Sequence, residues 1–285
     1  MPEPEINQQG VISVDRARAA QPRAMGVASL AVRADATGAT RLSDLRQAGS
    51  SRLVFPRVPA NRIDTILVNT AGGITGGDRF ALDAGVGPGA TLSLTTQAAE
   101  RAYRAQPGEV GRAMTTLRVA DGATLHWLPQ ELILFERCAL HRDLSVELDG
   151  DARLLMVEPV VFGRAAMAER LSGIRFRDRV RITRNGRLLY RDGVDLRGDA
   201  ATHLARRAVA NGAGAMAALV LVRPDAAAQI APLRDMLPAT AGATLLAEDV
   251  LVIRHLAPDA FALRRDMLPI LDRLTDRTLP PSWRL

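Results

Sequence analysis

The tetrapeptide Gly89-Ala90-Thr91-Leu92 recurs as Gly122-Ala123-Thr124-Leu125 and, more loosely, as Asp151-Ala152-Arg153-Leu154, with the alanines 33 and then 29 residues apart. Each copy follows a turn (Gly87-Pro88, Asp121-Gly122, Asp149-Gly150) and leads into an apolar run that ends in polar residues. Periods of about 20–50 residues are the signature of stacked coils, in which each repeat buries a face that it cannot bury alone. The competing reading is that the tetrapeptide merely opens strands in an alanine-rich chain. Gly242-Ala243-Thr244-Leu245 is a distant fourth copy, far out of step with the others. Stacking predicts a mainly β fold with a β-solenoid or β-helix-like body.

The rest of the chain fits that frame. Val27 to Val32, Ile63 to Asn69, Arg79 to Leu82 and Thr91 to Thr95 are β-prone runs bounded by turn residues. Helix signals are confined to the C-terminal part, where two or three helices are expected. One runs from Asp199 to Val209 with a cap near Asp199 or Thr202, and a second lies between Pro224 and Pro238. A third spans Asp266 to Leu274, with Pro269 tolerable in its first turn. Residues 1–24, with Pro2, Pro4, Gln8-Gln9-Gly10 and Pro22, read as a loose N-terminal arm. Residues 25–285 read as one domain.

If the copies stack, their strand ends align in polar columns. Gln97 and Gln130 occupy equivalent positions, Thr96 aligns with Pro129 and Glu158, and Glu131 sits beside the column. Polar groups inside a β-stack are costly unless they pair or hold water. The column is therefore either a satisfied network or a wet passage.

Composition removes several chemistries. The 37 basic residues are all arginine, against 31 acids, for a net charge of +6. Without lysine the chain cannot build a P-loop ATPase, a protein kinase site or a pyridoxal Schiff base. One cysteine, Cys138, rules out an intramolecular disulfide and CxxC redox chemistry. The four histidines, His126, His141, His203 and His255, form no HExxH. Cys138-x-x-His141 resembles half of a metal site but lacks a second pair, and reads as a loop. Glu3 and Glu5 with no following apolar core argue against a secretory signal. The longest apolar run, about residues 213–222, is short of the ~20 residues a bilayer requires. The expectation is a cytoplasmic protein without a membrane span. The arginines are interleaved with acids and form no stripe with aromatic interleaving, which argues against nucleic acid as a partner.

The densest glycine segment, Asn69 to Asp78, has P-loop spacing between Gly72 and Gly77, but Asp78-Arg79 stands where Lys and Ser/Thr are required. Read with four further segments it is more specific. Asn69 to Phe80 (NTAGGITGGDRF), Thr96 to Arg104 (TQAAERAYR), Leu125 to Phe135 (LHWLPQELILF), Glu158 to Glu169 (EPVVFGRAAMAE) and Asp178 to Arg187 resemble, in order, the UreD (UreH) family of urease accessory proteins. The terminal LPPSWRL is similar to that family's ending. Glu136-Arg137-Cys138 departs from the short Asp/Gly turn common in members, and the N-terminal arm has no match. The resemblance implies a non-enzymatic scaffold, or chaperone, that joins UreF and the GTPase UreG on apo-urease. It also implies an internal water-filled passage and nickel in transit, with no tightly bound cofactor.

Nickel accepts oxygen and nitrogen donors, and a passage must bind weakly enough to release its ion. The candidates for a transient path are Asp78, Glu131, Glu158 and Asp192, with Glu100 and Glu169 as second choices. Each competes with a structural reading as an arginine-paired acid. Arg164, after Gly163, is expected in a buried ion pair with Glu158 or Glu169, or at a partner surface. Trp127 is expected in the core, and Trp283 at a partner contact. The rival functions are a polysaccharide hydrolase or lyase using Asp78, Glu131 and Glu158 as acid and base, and a basic nucleic-acid-binding scaffold.

Overall fold

The computed structural model describes residues 21–284. The chain begins with β1 (Met25–Ala34) and β2 (Thr40–Gly49), a hairpin, and crosses through β3 (Ser51–Val54) to its antiparallel neighbour β4 (Ile63–Asn69). Coiling then starts. β5 (Arg79–Val86), β6 (Thr91–Thr96) and β7 (Glu100–Ala102) make one circuit; β8 (Gly111–Val119), β9 (Thr124–Leu128) and β10 (Leu132–Leu134) make the next. β11 (Ala139–Leu148) and β12 (Arg153–Phe162) follow, then the hairpin β13 (Ile174–Arg184) and β14 (Arg187–Gly198). After α1 (Ala200–Leu204) come β15 (Ala215–Val222), α2 (Ala226–Met236), β16 (Ala241–Ala247), β17 (Val250–Ala257) and α3 (Ala260–Leu274). No helix among the described residues is long and apolar enough to cross a membrane.

The strands form two facing sheets. The first has seven strands in the order β14-β13-β11-β8-β5-β1-β2; the second has ten and contains β16-β17-β15-β12-β9-β6-β4-β3. β5, β8, β11 and β13 run parallel in the first, and β4, β6, β9 and β12 in the second, as a coiling chain requires. Antiparallel strands close both ends.

The sequence repeat is the register of this stack. Thr91 pairs with Thr124 and Thr124 with Arg153, reproducing the offsets of 33 and 29. Thr124 N–H donates to the Ala90 carbonyl at 2.9 Å and Arg153 N–H to that of Ala123 at 2.8 Å. The three alanines are buried at the same position of successive coils. The turns stack too: Asp151 N–H donates to Asp121 Oδ1 at 2.7 Å, and Gly150 stands at φ 48°, where a Cβ would lie 2.1 Å from that oxygen. The fourth copy is not a coil. Gly242 to Leu245 lies in β16, an antiparallel edge strand that pairs with β17.

Leucine, valine and alanine from both sheets fill the space between them, with Leu92, Leu94, Leu117, Leu125 and Val146 fully buried. A second core lies behind the ten-stranded sheet, where Leu155, Leu219 and Leu251 pack against Leu233 of α2 and Leu263 and Ile270 of α3. β12 is thus buried on both faces, which accounts for its almost unbroken apolar run, as in sheets covered on both sides.

The helices depart from expectation at their ends. The first is only five residues long and gives way to turns before Val209, although Asp199 does cap it by accepting from Thr202 N–H. The third begins earlier: Asp259 accepts from Ala262 N–H, so Pro269 lies in the helix interior and not in its first turn. Most of the N-terminal arm, residues 1–20, lies outside the described residues.

Candidate functional site

Alternation along a strand sets the site. In β11, Leu140, Leu144 and Val146 face the space between the sheets, and Arg142 occupies an inward slot of the same parity. Asp178 fills the equivalent slot in β13, between Phe176 and Val180, and pairs directly with Arg142 in the ladder. Arg142 donates from Nε to Asp178 Oδ1 at 3.0 Å and from one terminal nitrogen to Oδ2 at 2.5 Å. Its other terminal nitrogen lies 2.6 Å from Oε2 of Glu158, across on β12. Trp127 of β9 donates its indole N–H to Glu158 Oε1 at 2.6 Å.

One buried cation therefore faces two buried carboxylates. Burial raises the Glu158 carboxyl above the ordinary glutamate range; Arg142 opposes the shift and the charge of Asp178 adds to it. Burial also disfavours charge on Arg142, but Asp178 and Glu158 outweigh it and hold the guanidinium charged.

The cluster lies at one side of a cavity of about 230 Å³ between the sheets. Apolar walls come from Phe80, Leu82, Leu140 and Leu144, and polar groups from Thr96, Gln130, Glu100 and Glu158. Asn69, at the end of β4, contributes with Gly72, Gln97 and Ala98 from loops at the coil corners, where the last three are exposed. Glu100 accepts from Asn69 Nδ2 at 3.0 Å and from Arg101 N–H at 2.9 Å, and burial raises its carboxyl pKa. The glycines of this loop permit close contact: at Gly73, with φ 154°, a Cβ would lie 2.2 Å from the Tyr103 ring.

A family model described as UreD urease accessory protein matches residues 25–283. The chain belongs to the UreD family. Among curated relatives, the Urease accessory protein UreD of Roseobacter denitrificans is 49% identical over 265 residues, covering 93% of this chain and 96% of the relative. That of Ruegeria pomeroyi is 52% identical over 242 residues, covering 85% and 94%. That of Ruegeria sp. (strain TM1040) is 50% identical over 272 residues, covering 93% and 91%.

In this UreD-family chain the six candidate acids do not converge on one site. Of the six acids, only Glu158 and Glu100 line the cavity. Asp78 is buried and accepts backbone N–H groups from Ala24 and Thr75, both at 2.8 Å, pinning the glycine loop to the approach to β1. Glu131 is gripped by Arg264 of α3, whose Nε and a terminal nitrogen donate to its two oxygens at 2.9 and 2.6 Å. Asp192 accepts from the Tyr190 hydroxyl and from Gly193 N–H, both at 2.8 Å, and is ion-paired with Arg254. Glu169 accepts from Arg164 and from the N–H groups of Glu136 and Arg164; the Arg164 side chain leads in holding its carboxyl down at about 2. Of Asp78, Glu131 and Glu158, the acids of the hydrolase reading, only Glu158 lines the cavity; the other two are engaged by backbone N–H groups and by Arg264. Among the described residues, no group of three or more His, Cys, Asp or Glu is placed to hold a metal ion.

Two expectations give way. Arg164 does pair with Glu169, but its side chain is 42% exposed and lies over the Phe135 ring, so the pair is not buried. Trp283 presents no surface for a partner: it is 1% exposed, donates its indole N–H to the Leu128 carbonyl at 2.9 Å, and packs in the core behind the second sheet. Gln130 ties the same region together, donating to the carbonyls of Thr96, Gln97 and Ser282 while accepting from Arg264. That branch of the column is a satisfied network. Cys138 and His141 do not cooperate either. The thiol is buried and its pKa is pushed up to about 12 by burial and by Glu136 and Glu169, while His141 falls on the opposite strand parity, between Arg112 and Arg177.

Arg142 and Asp178 were not among the sequence candidates. Their signal was available: each is a charged residue in an inward slot flanked at i−2 and i+2 by large apolar side chains.

Proposed function

We propose that this protein is a urease maturation factor: a non-catalytic scaffold that assembles with UreF and the GTPase UreG on apo-urease and supports delivery of nickel to the active site. The observation that carries the reading is the family match from residue 25 to 283, with relatives named as urease accessory proteins along nearly their whole length. Energy from GTP hydrolysis is assigned to the partner, since the chain has no lysine with which to build a P-loop.

In this proposal nickel is cargo, and the cavity between the sheets is its way into the body. Glu100, held near the corner loops by Asn69, offers the first oxygen ligand, and Glu158 the second. Two isolated carboxylates suit transit better than storage, because nickel held by few oxygen donors exchanges readily. Arg142 opposes a second cation beside Glu158, so onward movement requires its guanidinium to swing away, with Asp178 retaining it.

The test is urease produced with and without this chain at limiting nickel, with metal per urease measured by mass spectrometry. Assembled but nickel-poor urease in its absence is the expected result. Full nickel content without the chain would refute the maturation role.

A further inference from the structure

Helices and the C-terminal segment cover the back of the ten-stranded sheet, but no described element covers the outer face of the seven-stranded one. A sheet whose central strands run parallel is ordinarily covered on both faces. Here the outward positions of β5, β8, β11, β13 and β14 carry charge in place of a packed layer. Their acids are already engaged: Asp83 and Glu147 with Arg118, Asp143 with Arg177, and Asp195 with Arg197. Six arginines of the same face, Arg79, Arg112, Arg175, Arg179, Arg181 and Arg191, are exposed and make no side-chain hydrogen bond or ion pair with any described residue.

Their placement is unfavourable for the isolated chain. Arg79 and Arg112 are direct ladder partners, as are Arg181 and Arg191. Like charges directly opposite each other on a sheet are destabilising. Arg175, Arg179 and Arg181 share one strand face, with about 6.6 Å between alternate positions. In the middle of the face Met114, 58% exposed, offers an apolar contact beside Ala81 of the next strand.

We propose that this face is a docking surface for an acidic, flat protein surface, and, resting on the maturation reading above, that the protein it receives is apo-urease. An acidic partner relieves the repulsion between paired arginines and supplies the carboxylates that the face lacks. Arginine suits the task because its planar guanidinium pairs with a carboxylate through two parallel hydrogen bonds. A folded protein is favoured over nucleic acid on two grounds. The outward positions named carry no aromatic ring for base stacking, and a folded partner can set its carboxylates opposite the unpaired arginines and leave Asp83, Asp143, Glu147 and Asp195 uncontacted, which the regular phosphates of a nucleic acid cannot do.

The test uses the full chain and purified apo-urease, with binding measured by surface plasmon resonance across a salt series. Arg179→Glu/Arg181→Glu reverses two charges on exposed side chains and is expected to weaken binding by about tenfold or more at low ionic strength, chiefly through slower association. Arg277→Glu, in the exposed loop after α3, is the control and leaves binding unchanged. Wild-type affinity is expected to fall as salt rises. Equal binding by the double variant and wild type overturns the proposal, as does apo-urease that fails to bind while RNA or anionic vesicles bind. Urease activation measured in cells producing the same variants separates the two readings. A double variant that binds normally in a system where activation still needs the chain removes the docking face and leaves the maturation role standing.

Discussion

Arg142 and Glu158 meet across the gap between the two sheets, a terminal guanidinium nitrogen 2.6 Å from a carboxylate oxygen, and this ion pair joins the sheets beside the cavity. It comes from strands that are consecutive in sequence but lie in opposite sheets, and Asp178 extends it one strand along the first sheet. Arg142 makes contacts with two carboxylates at once, which opposes the effect of burial on Glu158, and Trp127 supplies one more donor to Glu158. The contact therefore serves the fold whatever crosses the cavity.

Removing the cation should be the costliest change in this cluster. Arg142→Met strands two carboxylates in an apolar setting, and removing one partner of a buried ion pair costs about 3–5 kcal/mol. Glu158→Gln leaves the bidentate Arg142–Asp178 pair in place and an oxygen for the Trp127 indole. Denaturant unfolding is expected to show a much lower midpoint for Arg142→Met than for Glu158→Gln. Equal midpoints would contradict this account.

Glu131 should behave as architecture. Its partner Arg264 also donates to Gln130 and to the Trp283 carbonyl, so the pair holds the C-terminal segment against the coil corner. Glu131→Ala leaves that guanidinium without its carboxylate, and Trp283→Ala opens a cavity worth about 3–5 kcal/mol. Both variants are expected to lower soluble yield and to raise the rate of proteolysis near the C-terminus. A Glu131→Ala protein as stable as wild type, yet unable to activate urease, would return this residue to the nickel path.

The coils were legible because their register is written into the sequence: Ala90, Ala123 and Ala152 mark one position in three successive turns. The fate of the acids was not. Asp78, Glu131 and Asp192 are each engaged by a group distant in sequence, Ala24, Arg264 and Arg254 respectively, and such pairings depend on how the antiparallel ends and α3 fold back. Trp283 was misplaced for a related reason. A proline-flanked terminus reads as exposed until the helix it packs beside is located. Arg142 and Asp178 lay between these cases, visible to strand parity but not to motif.

Acid should loosen the fold through its histidines before the ordinary carboxylates titrate. Burial, with Arg223 and Arg62, lowers the His126 pKa to about 4. Burial also lowers that of His255, against the opposing effect of Asp266, and of His141, where three arginines add to it. In each case the unfolded chain takes up its proton first, near pH 6.5. Stability contributed by the neutral ring is complete above that pH and is lost as pH falls from about 6.5 towards about 4 for His126. Unfolding midpoints of wild type and His126→Gln between pH 7.5 and 5.5 should therefore converge as pH falls. A constant difference between the two would rule out the depressed pKa.

The last prediction isolates transport from assembly. Glu100 and Glu158 are the two acids of the original set that line the cavity, and a glutamine at either position keeps one acceptor oxygen, for Asn69 or Arg101 N–H at 100 and for the Trp127 indole at 158, while losing the second. Glu100→Gln/Glu158→Gln removes both charges while preserving shape, so the double variant should fold and recover apo-urease, UreF and UreG as wild type does. If nickel passes these oxygens, urease matured with the variant should carry less metal, and the deficit should shrink as nickel is raised. The raised carboxyl pKa values add a direction: protonation begins at higher pH than for ordinary glutamates, so wild-type delivery should weaken on mild acidification and the double variant should be less sensitive. Metal content per urease, measured beside complex recovery, reads both effects. Full nickel loading by the double variant at limiting metal would take the cavity out of the nickel path, and lost complex would make these two acids structural, the role expected of Glu131.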